Sequence, residues 1–170
     1  MKKAEKLDLG VVMDQQCKLY VLVGVPGSGK STWHSDQEWL KGAAYISTDR
    51  YVEEYAKNMG KTYSEVFKEV MPKCVEYMTG DVINAREEGR DIVWDQTSTT
   101  VDSRLKKLRM LPEYHAIAVV FNSIDREELN RRLQSRYDSG KIIPENVVQG
   151  MINNWEEPTL EEGFQEIWYV

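Results

Sequence analysis

Five short apolar runs punctuate the chain: KLYVLVG (18–24), AAYIS (43–47), DIVWD (91–95), HAIAVVF (115–121) and FQEIWYV (164–170). Most are continuous rather than alternating, the pattern of strands covered on both faces. Between them apolar residues recur at helical spacing. Residues 101–111 place Val101, Leu105, Leu108 and Leu111 on one face, with Thr99 and Asp102 at capping-box spacing. That assignment turns Arg104, Lys106, Lys107 and Arg109 outward. Residues 125–137 repeat Leu129, Leu133 and Tyr137 at intervals of four, with Asp125 and Glu128 placed to cap. Residues 62–89 begin like a helix at Thr62 and Glu65 and stop at Gly89, and Pro72 and Gly80 are expected to kink or divide it. Pro144 suits a first helical position ahead of Val147, Val148, Met151 and Ile152. Strand alternating with helix predicts an α/β fold, a doubly wound, mainly parallel five-stranded sheet with helices on both faces.

The first apolar run feeds into GVPGSGKS (24–31), which fits the phosphate-binding pattern G-x-x-x-x-G-K-[ST]. Glycines let the backbone approach an anion, and successive N–H groups followed by a helix N-terminus surround a phosphate. Gly24, Pro26, Gly27, Ser28, Gly29 and Thr32 are the candidate cradle. Lys30 reaches the β- and γ-phosphates, and the Ser31 hydroxyl takes a magnesium site. The pattern predicts binding of a nucleoside triphosphate such as ATP.

The same loop serves switches, motors and transferases. A guanine-reading N-K-x-D is absent, and no D-x-x-G follows a strand as in a GTPase switch. A phosphoryl transferase needs a base near the acceptor hydroxyl and a cation over the transferring phosphate. The run AAYIS leads to Thr48-Asp49, nineteen residues after Lys30. The carboxyl ends of strands in an open parallel sheet line one crevice. Asp49 is therefore the candidate general base, with helix capping as its alternative role. Asp95 ends DIVWD in the same way and is the candidate carboxylate on the magnesium side. ELNRRLQSRYDSGK reads as an arginine-bearing lid helix followed by a mobile Asp-Ser-Gly. Arg132 and Arg136 share a face there; Arg132 is a candidate contact to the bound nucleotide and Arg136 the candidate catalytic cation. The tryptophans and tyrosines read as packing, and His34 and His115 lack metal-ligand spacing.

Bulk properties narrow the setting. A length of 170 residues with 41% hydrophobic and 29% charged residues suits one soluble domain. It reads as an N-terminal extension (1–17) and one kinase-type domain (18–170). No run of eighteen apolar residues exists, so no membrane partner is expected. Cys17 and Cys74 lack metal or redox spacing and read as reduced thiols in a cytoplasmic setting. A net charge of −6 argues against indiscriminate coating of nucleic acid. The outward bases assigned to 101–111 nevertheless offer a local surface for backbone phosphates.

In order and spacing, GVPGSGKSTW, ISTDRY, DIVWDQTS and LNRRLQSRYDSGKIIP resemble the kinase domain of bacteriophage and bacterial 5′-hydroxyl polynucleotide kinases. The closing EEGFQEIWYV is similar to the last strand of such domains. The resemblance spans residues 18 to 170 and implies ATP and Mg²⁺ as cofactors and a nucleic-acid 5′ end as acceptor. It also implies a bacterial host cytoplasm if the chain is phage-encoded. Carried over by position, Lys30 and Ser31 hold the β/γ-phosphates and magnesium, Asp49 is the base and Arg136 the lid arginine. Three features depart from the family. The arginine often found three positions after the base is Val52 here, with Arg50 nearest. DQTS stands for D-x-T-N, and the phage enzymes' phosphatase module has no counterpart in these residues. Related kinases act on hydroxymethylated DNA bases, nucleosides or other small alcohols, and a nucleotide-binding regulator is the alternative outside catalysis.

Overall fold

All five apolar runs are strands: β1 Lys18–Val23, β2 Ala44–Ile46, β3 Ile92–Asp95, β4 His115–Val120 and β5 Glu166–Tyr169. The computed structural model describes residues 15–170, so the first fourteen positions of the expected N-terminal extension lie outside the described residues. The strands form one sheet in the order β2-β3-β1-β4-β5, with every pairing parallel. Their continuous apolar pattern has its cause in this arrangement. Leu19, Val21 and Val23 of β1 point to one buried layer with Ile92, Trp94, Ala116, Ala118 and Val120. Tyr20 and Leu22 point to the other with Val93, Ile117 and Val119. Each such aliphatic side chain contributes about 1.5–3 kcal/mol by leaving water.

Six α-helices alternate with the strands: α1 Lys30–Asp36, α2 Thr48–Met59, α3 Tyr63–Glu87, α4 Val101–Met110, α5 Arg126–Asp138 and α6 Glu145–Asn153. Helix α3 starts at the expected capping box of Thr62 and Glu65 but is not divided. It runs through Pro72 and Gly80 because Val66, Val70, Cys74, Met78, Val82 and Ala85 keep one face buried along its length. That packing outweighs the roughly 3 kcal/mol that an interior proline costs. Its first half pairs with α2 around Val52, Ala56, Val66, Val70 and Cys74. Asp125 caps α5 as expected, accepting from the Glu128 N–H at 2.9 Å. Leu129 and Leu133 pack with Val25 and Val148, but Tyr137 turns to solvent. Pro144 precedes α6 as its cap residue rather than opening it.

Helix α4 departs most from the sequence reading. Thr100, not Thr99, caps it, accepting from the Ser103 N–H. Its most buried stripe is Arg104, Lys107 and Leu111, while Val101, Leu105 and Leu108 are half-buried. The Arg104 guanidinium is wholly buried, with Nε and Nη2 each 2.8 Å from the Glu162 carboxylate and Nη1 3.0 Å from the Ser98 carbonyl. Lys107 lies over the Trp94 ring and donates to the Ser103 carbonyl, and burial, with Lys106 and Arg104 nearby, pushes its pKa down to about 8. Polar partners on a distant segment and one aromatic face hold these cations inside. The outward basic surface expected there is reduced to Lys106 and Arg109. Among the described residues no helix is long and apolar enough to cross a membrane, and Cys17 and Cys74 are separate free thiols.

Candidate active site at the carboxyl ends of the strands

β1 sits centrally, with β3 on one side and β4 on the other, so the chain reverses its winding direction there. Ligand crevices form at such switch points. The loop 24–29 leaves β1 at that place. Gly27 and Gly29 hold left-handed φ values of +85° and +103°, a conformation open to glycine that turns successive N–H groups to one side. The Ser28 hydroxyl is buried and has no partner among the described residues. A donor left over inside a glycine-lined loop is what an anion with several oxygens would satisfy.

Lys30 opens α1 and is buried, its Nζ 2.9 Å from the Gly24 carbonyl and 3.0 Å from that of Val25. Burial pushes its pKa down to about 8, opposed by the charges of Asp95 and Asp49 and reinforced by those of Arg136 and Lys141. At the next residue, the Ser31 hydroxyl donates to Asp95 Oδ2 at 2.8 Å. Asp95, the buried last residue of β3, also accepts from the Tyr45 hydroxyl. Burial and then the Asp95 charge raise the pKa of that phenol, whose ring stacks on His34 at 4.3 Å. Ser31 and Asp95 together offer hard oxygen donors, which suits magnesium. Among the described residues no cluster of three or more acidic, histidine or cysteine ligands forms a metal cage, so such an ion would complete its shell from phosphates and water.

Asp49 occupies the first turn of α2, where Ser47 rather than Asp49 is the cap residue. The aspartate is therefore released from capping. Its Oδ1 accepts from the Tyr63 hydroxyl at 2.7 Å and its Oδ2 from Lys141 Nζ at 2.8 Å. Burial favours its neutral form, but Lys141, Tyr63 and Lys30 more than offset this and hold its pKa below the usual carboxylate range.

Helix α5 lies across the loop. Arg132 donates from Nε to Glu128 at 2.6 Å and from Nη1 to the Gly27 carbonyl at 3.2 Å. Arg136, in the last turn, is half-buried, and among the described residues no carboxylate lies within 4 Å of it. Thr32 is exposed in the first turn of α1, and Pro26 is half-buried in the loop. The Asp-Ser-Gly is not free: Asp138 ends α5, and the Gly140 carbonyl accepts from the Ser64 N–H at 3.3 Å. Val52 is fully buried between α2 and α3, and Arg50 is tied to Asp81.

Sequence reading thus named Lys30, Ser31, Asp49 and Asp95, which the fold brings together, and missed three residues. Tyr45 and Tyr63 read as packing in the sequence, yet their hydroxyls donate to the two carboxylates. Nothing in the spacing of Lys141 singles it out, yet it reaches Asp49 across ninety-two positions.

Fold and loop together define a P-loop domain with the fold of small kinases. The chain belongs to the AAA domain family, whose model matches residues 19–158. A bifunctional polynucleotide phosphatase/kinase from Schizosaccharomyces pombe is 28% identical over 153 residues, which is 88% of this chain and 32% of that protein. The chain therefore spans about a third of that curated relative. Among solved structures, a protein from Chloroflexus aurantiacus described as a kinase superposes with a TM-score of 0.70 at 16% identity, over 92% of this chain and 88% of that one. The Pnkp1/Rnl/Hen1 RNA repair complex contains a chain matching with a TM-score of 0.62 at 21% identity, over 82% of this chain and 44% of that one.

Proposed function

We propose that the chain is an ATP-dependent kinase that transfers the γ-phosphoryl group to the 5′-hydroxyl end of DNA or RNA. The observation that carries the reading is the Asp49 carboxylate, ionised and held by two donors in the crevice whose other wall is the Lys30 loop. A protein that merely binds nucleotide has no use for a base there. In transfer, the acceptor oxygen bonds to the γ-phosphorus, the bond to the β-phosphate oxygen breaks, ADP leaves, and the hydroxyl proton passes to Asp49. Lys30 exchanges its loop carbonyls for phosphate oxygens. Arg136 faces the charge that develops on the transferring group. Ser31 and Asp95 would hold Mg²⁺, which would supply charge neutralisation at the phosphates.

The polynucleotide acceptor is supported by the likeness to the Schizosaccharomyces pombe protein over most of this chain. Two features favour a second reading, a small alcohol as acceptor. Arg104 and Lys107 are buried, which removes the outward basic patch expected on α4, and Val52 replaces the family arginine near the base. Transfer of label from γ-³²P ATP to 5′-hydroxyl DNA, 5′-hydroxyl RNA, nucleosides and modified-base duplex separates the two. Labelled oligonucleotides with unlabelled nucleosides are expected. Label on nucleosides alone establishes the small-alcohol reading, and tight ATP binding with no transfer at all overturns both.

A further inference from the structure

We infer that Lys141 is the positioning residue of the acceptor side: delivered by the segment that follows the lid helix, it orients the Asp49 carboxylate and keeps it ionised. The inference rests on the reading of Asp49 as general base. Lys141 Nζ stands 2.8 Å from Asp49 Oδ2 and 3.0 Å from Glu53 Oε1, and 4.5 Å from the centroid of the Tyr63 ring. Its side chain is 16% exposed, unusual for a lysine near the surface, whereas that of Glu53 is 56% exposed. Tyr63 donates to the other Asp49 oxygen. Each carboxylate oxygen thus has one protein donor and one lone pair left for an incoming hydroxyl.

The backbone around Lys141 is built to hold it there. The Ile142 N–H donates to Ser64 Oγ at 2.8 Å and Ser64 Oγ returns a bond to the Ile142 carbonyl at 3.4 Å. With the Gly140 contact, these bonds staple residues 140–142 to the start of α3. Gly140 has a φ of +88°, and a Cβ there would stand 2.8 Å and 2.9 Å from Thr62 side-chain carbons. Only glycine lets the segment come so close. Along the chain the segment follows α5, which carries Arg132 and Arg136, and through Lys141 it contacts α2, which carries Asp49.

The charges facing Asp49 decide the direction of the test. Lys141 comes from the lid segment, Lys30 from α1, Tyr63 from α3 and Glu53 from its own helix, while Arg136 lies near enough to lower the pKa of Lys30. Burial and Glu53 favour protonated Asp49, and the lysines favour the anion. Removing Lys141 therefore moves the Asp49 titration to higher pH, and the acidic limb of the rate profile moves with it as base is lost to protonation.

The test is ¹³C NMR titration of the Asp49 carboxyl, without substrate, in wild type, Lys141→Met, Lys141→Arg and Gly140→Ala, with thermal melts to verify folding. Lys141→Met and Gly140→Ala are expected to move the midpoint upward, and Lys141→Arg to restore it. In the pH profile, Lys141→Met should lower turnover about tenfold or more on the acidic side, the scale of one lost charge-assisted hydrogen bond, and less on the alkaline side. A midpoint in Lys141→Met equal to that of wild type overturns the inference. Failure of the underlying reading looks different: Asp49→Asn then keeps full turnover although the midpoint still responds to Lys141.

Discussion

Replacing Arg104 should reveal what α4 does. The sequence pattern turns this residue to solvent, where its loss would cost almost nothing. In the structure it is wholly buried and forms a fork-to-fork pair with Glu162, itself 5% exposed. Arg104→Ala removes both 2.8 Å bonds and the 3.0 Å bond to the Ser98 carbonyl, and leaves Glu162 charged in the interior. Breaking a buried pair on one side costs about 3–5 kcal/mol. For a chain of this length each kcal/mol moves the melting temperature by about 2–4 °C. The expected drop is therefore roughly 6–20 °C, read by calorimetry or circular dichroism and checked against the urea midpoint. Arg104→Lys keeps the charge but not the fork and should fall between. Arg104→Met with Glu162→Leu should recover much of the loss, since no charge is then left unpaired. A melting temperature of Arg104→Ala within about 2 °C of wild type would refute the burial argument, on the scale of an exposed pair.

Lys30→Ala should abolish most ATP affinity, measured by isothermal titration, because a desolvated phosphate contact is lost. In wild type the affinity should weaken as pH rises through about 8, where buried Lys30 loses its proton, and binding near that pH should take up protons, visible as a dependence on buffer ionisation heat. Asp49→Asn should keep ATP binding while slowing transfer about a hundredfold or more; wild-type turnover would return Asp49 to a structural role. Arg136→Ala should lower kcat more than it raises the KM for ATP, and the reverse split would place Arg136 in ground-state binding only.

What the sequence revealed and what it hid divide along physical lines. β-strands, the phosphate loop and the caps of α3 and α5 are written in neighbouring residues, so periodicity and spacing locate them. Asp49 and Asp95 follow from one rule about strand ends in parallel sheets. Apart from one-residue shifts at the caps of α4 and α6, the errors turn on contacts that only the folded chain supplies. Arg104 looks like a surface residue until Glu162, fifty-eight positions away, comes to meet it. Tyr63 and Lys141 lie fourteen and ninety-two positions from Asp49. Pro72 argues locally for a break, and only the continuous buried face of α3 reverses that argument. Charge sign was legible in each case; destination was not.

The two site arginines of α5 are four residues apart and look equivalent in sequence, yet their surroundings separate them. Arg132 commits Nε to Glu128 and Nη1 to the Gly27 carbonyl, so it braces the loop that leaves β1. Glu128 in turn is shared with Arg131. Arg136 has no such carboxylate beside it among the described residues, and its charge is close enough to help push Lys30 toward neutrality. Two unpaired like charges facing one crevice are unfavourable in the empty fold and become favourable when phosphate oxygens enter between them. Lys30 already holds two carbonyls as weaker substitutes for those oxygens. Lys141, on the far side, is compensated by Asp49 and Glu53 and so has no comparable pull on phosphate. The cations thus differ in what neutralises them: Arg132 has Glu128 and the Gly27 carbonyl, Lys141 has Asp49 and Glu53, and on the proposed reading Lys30 and Arg136 are the pair left for phosphates.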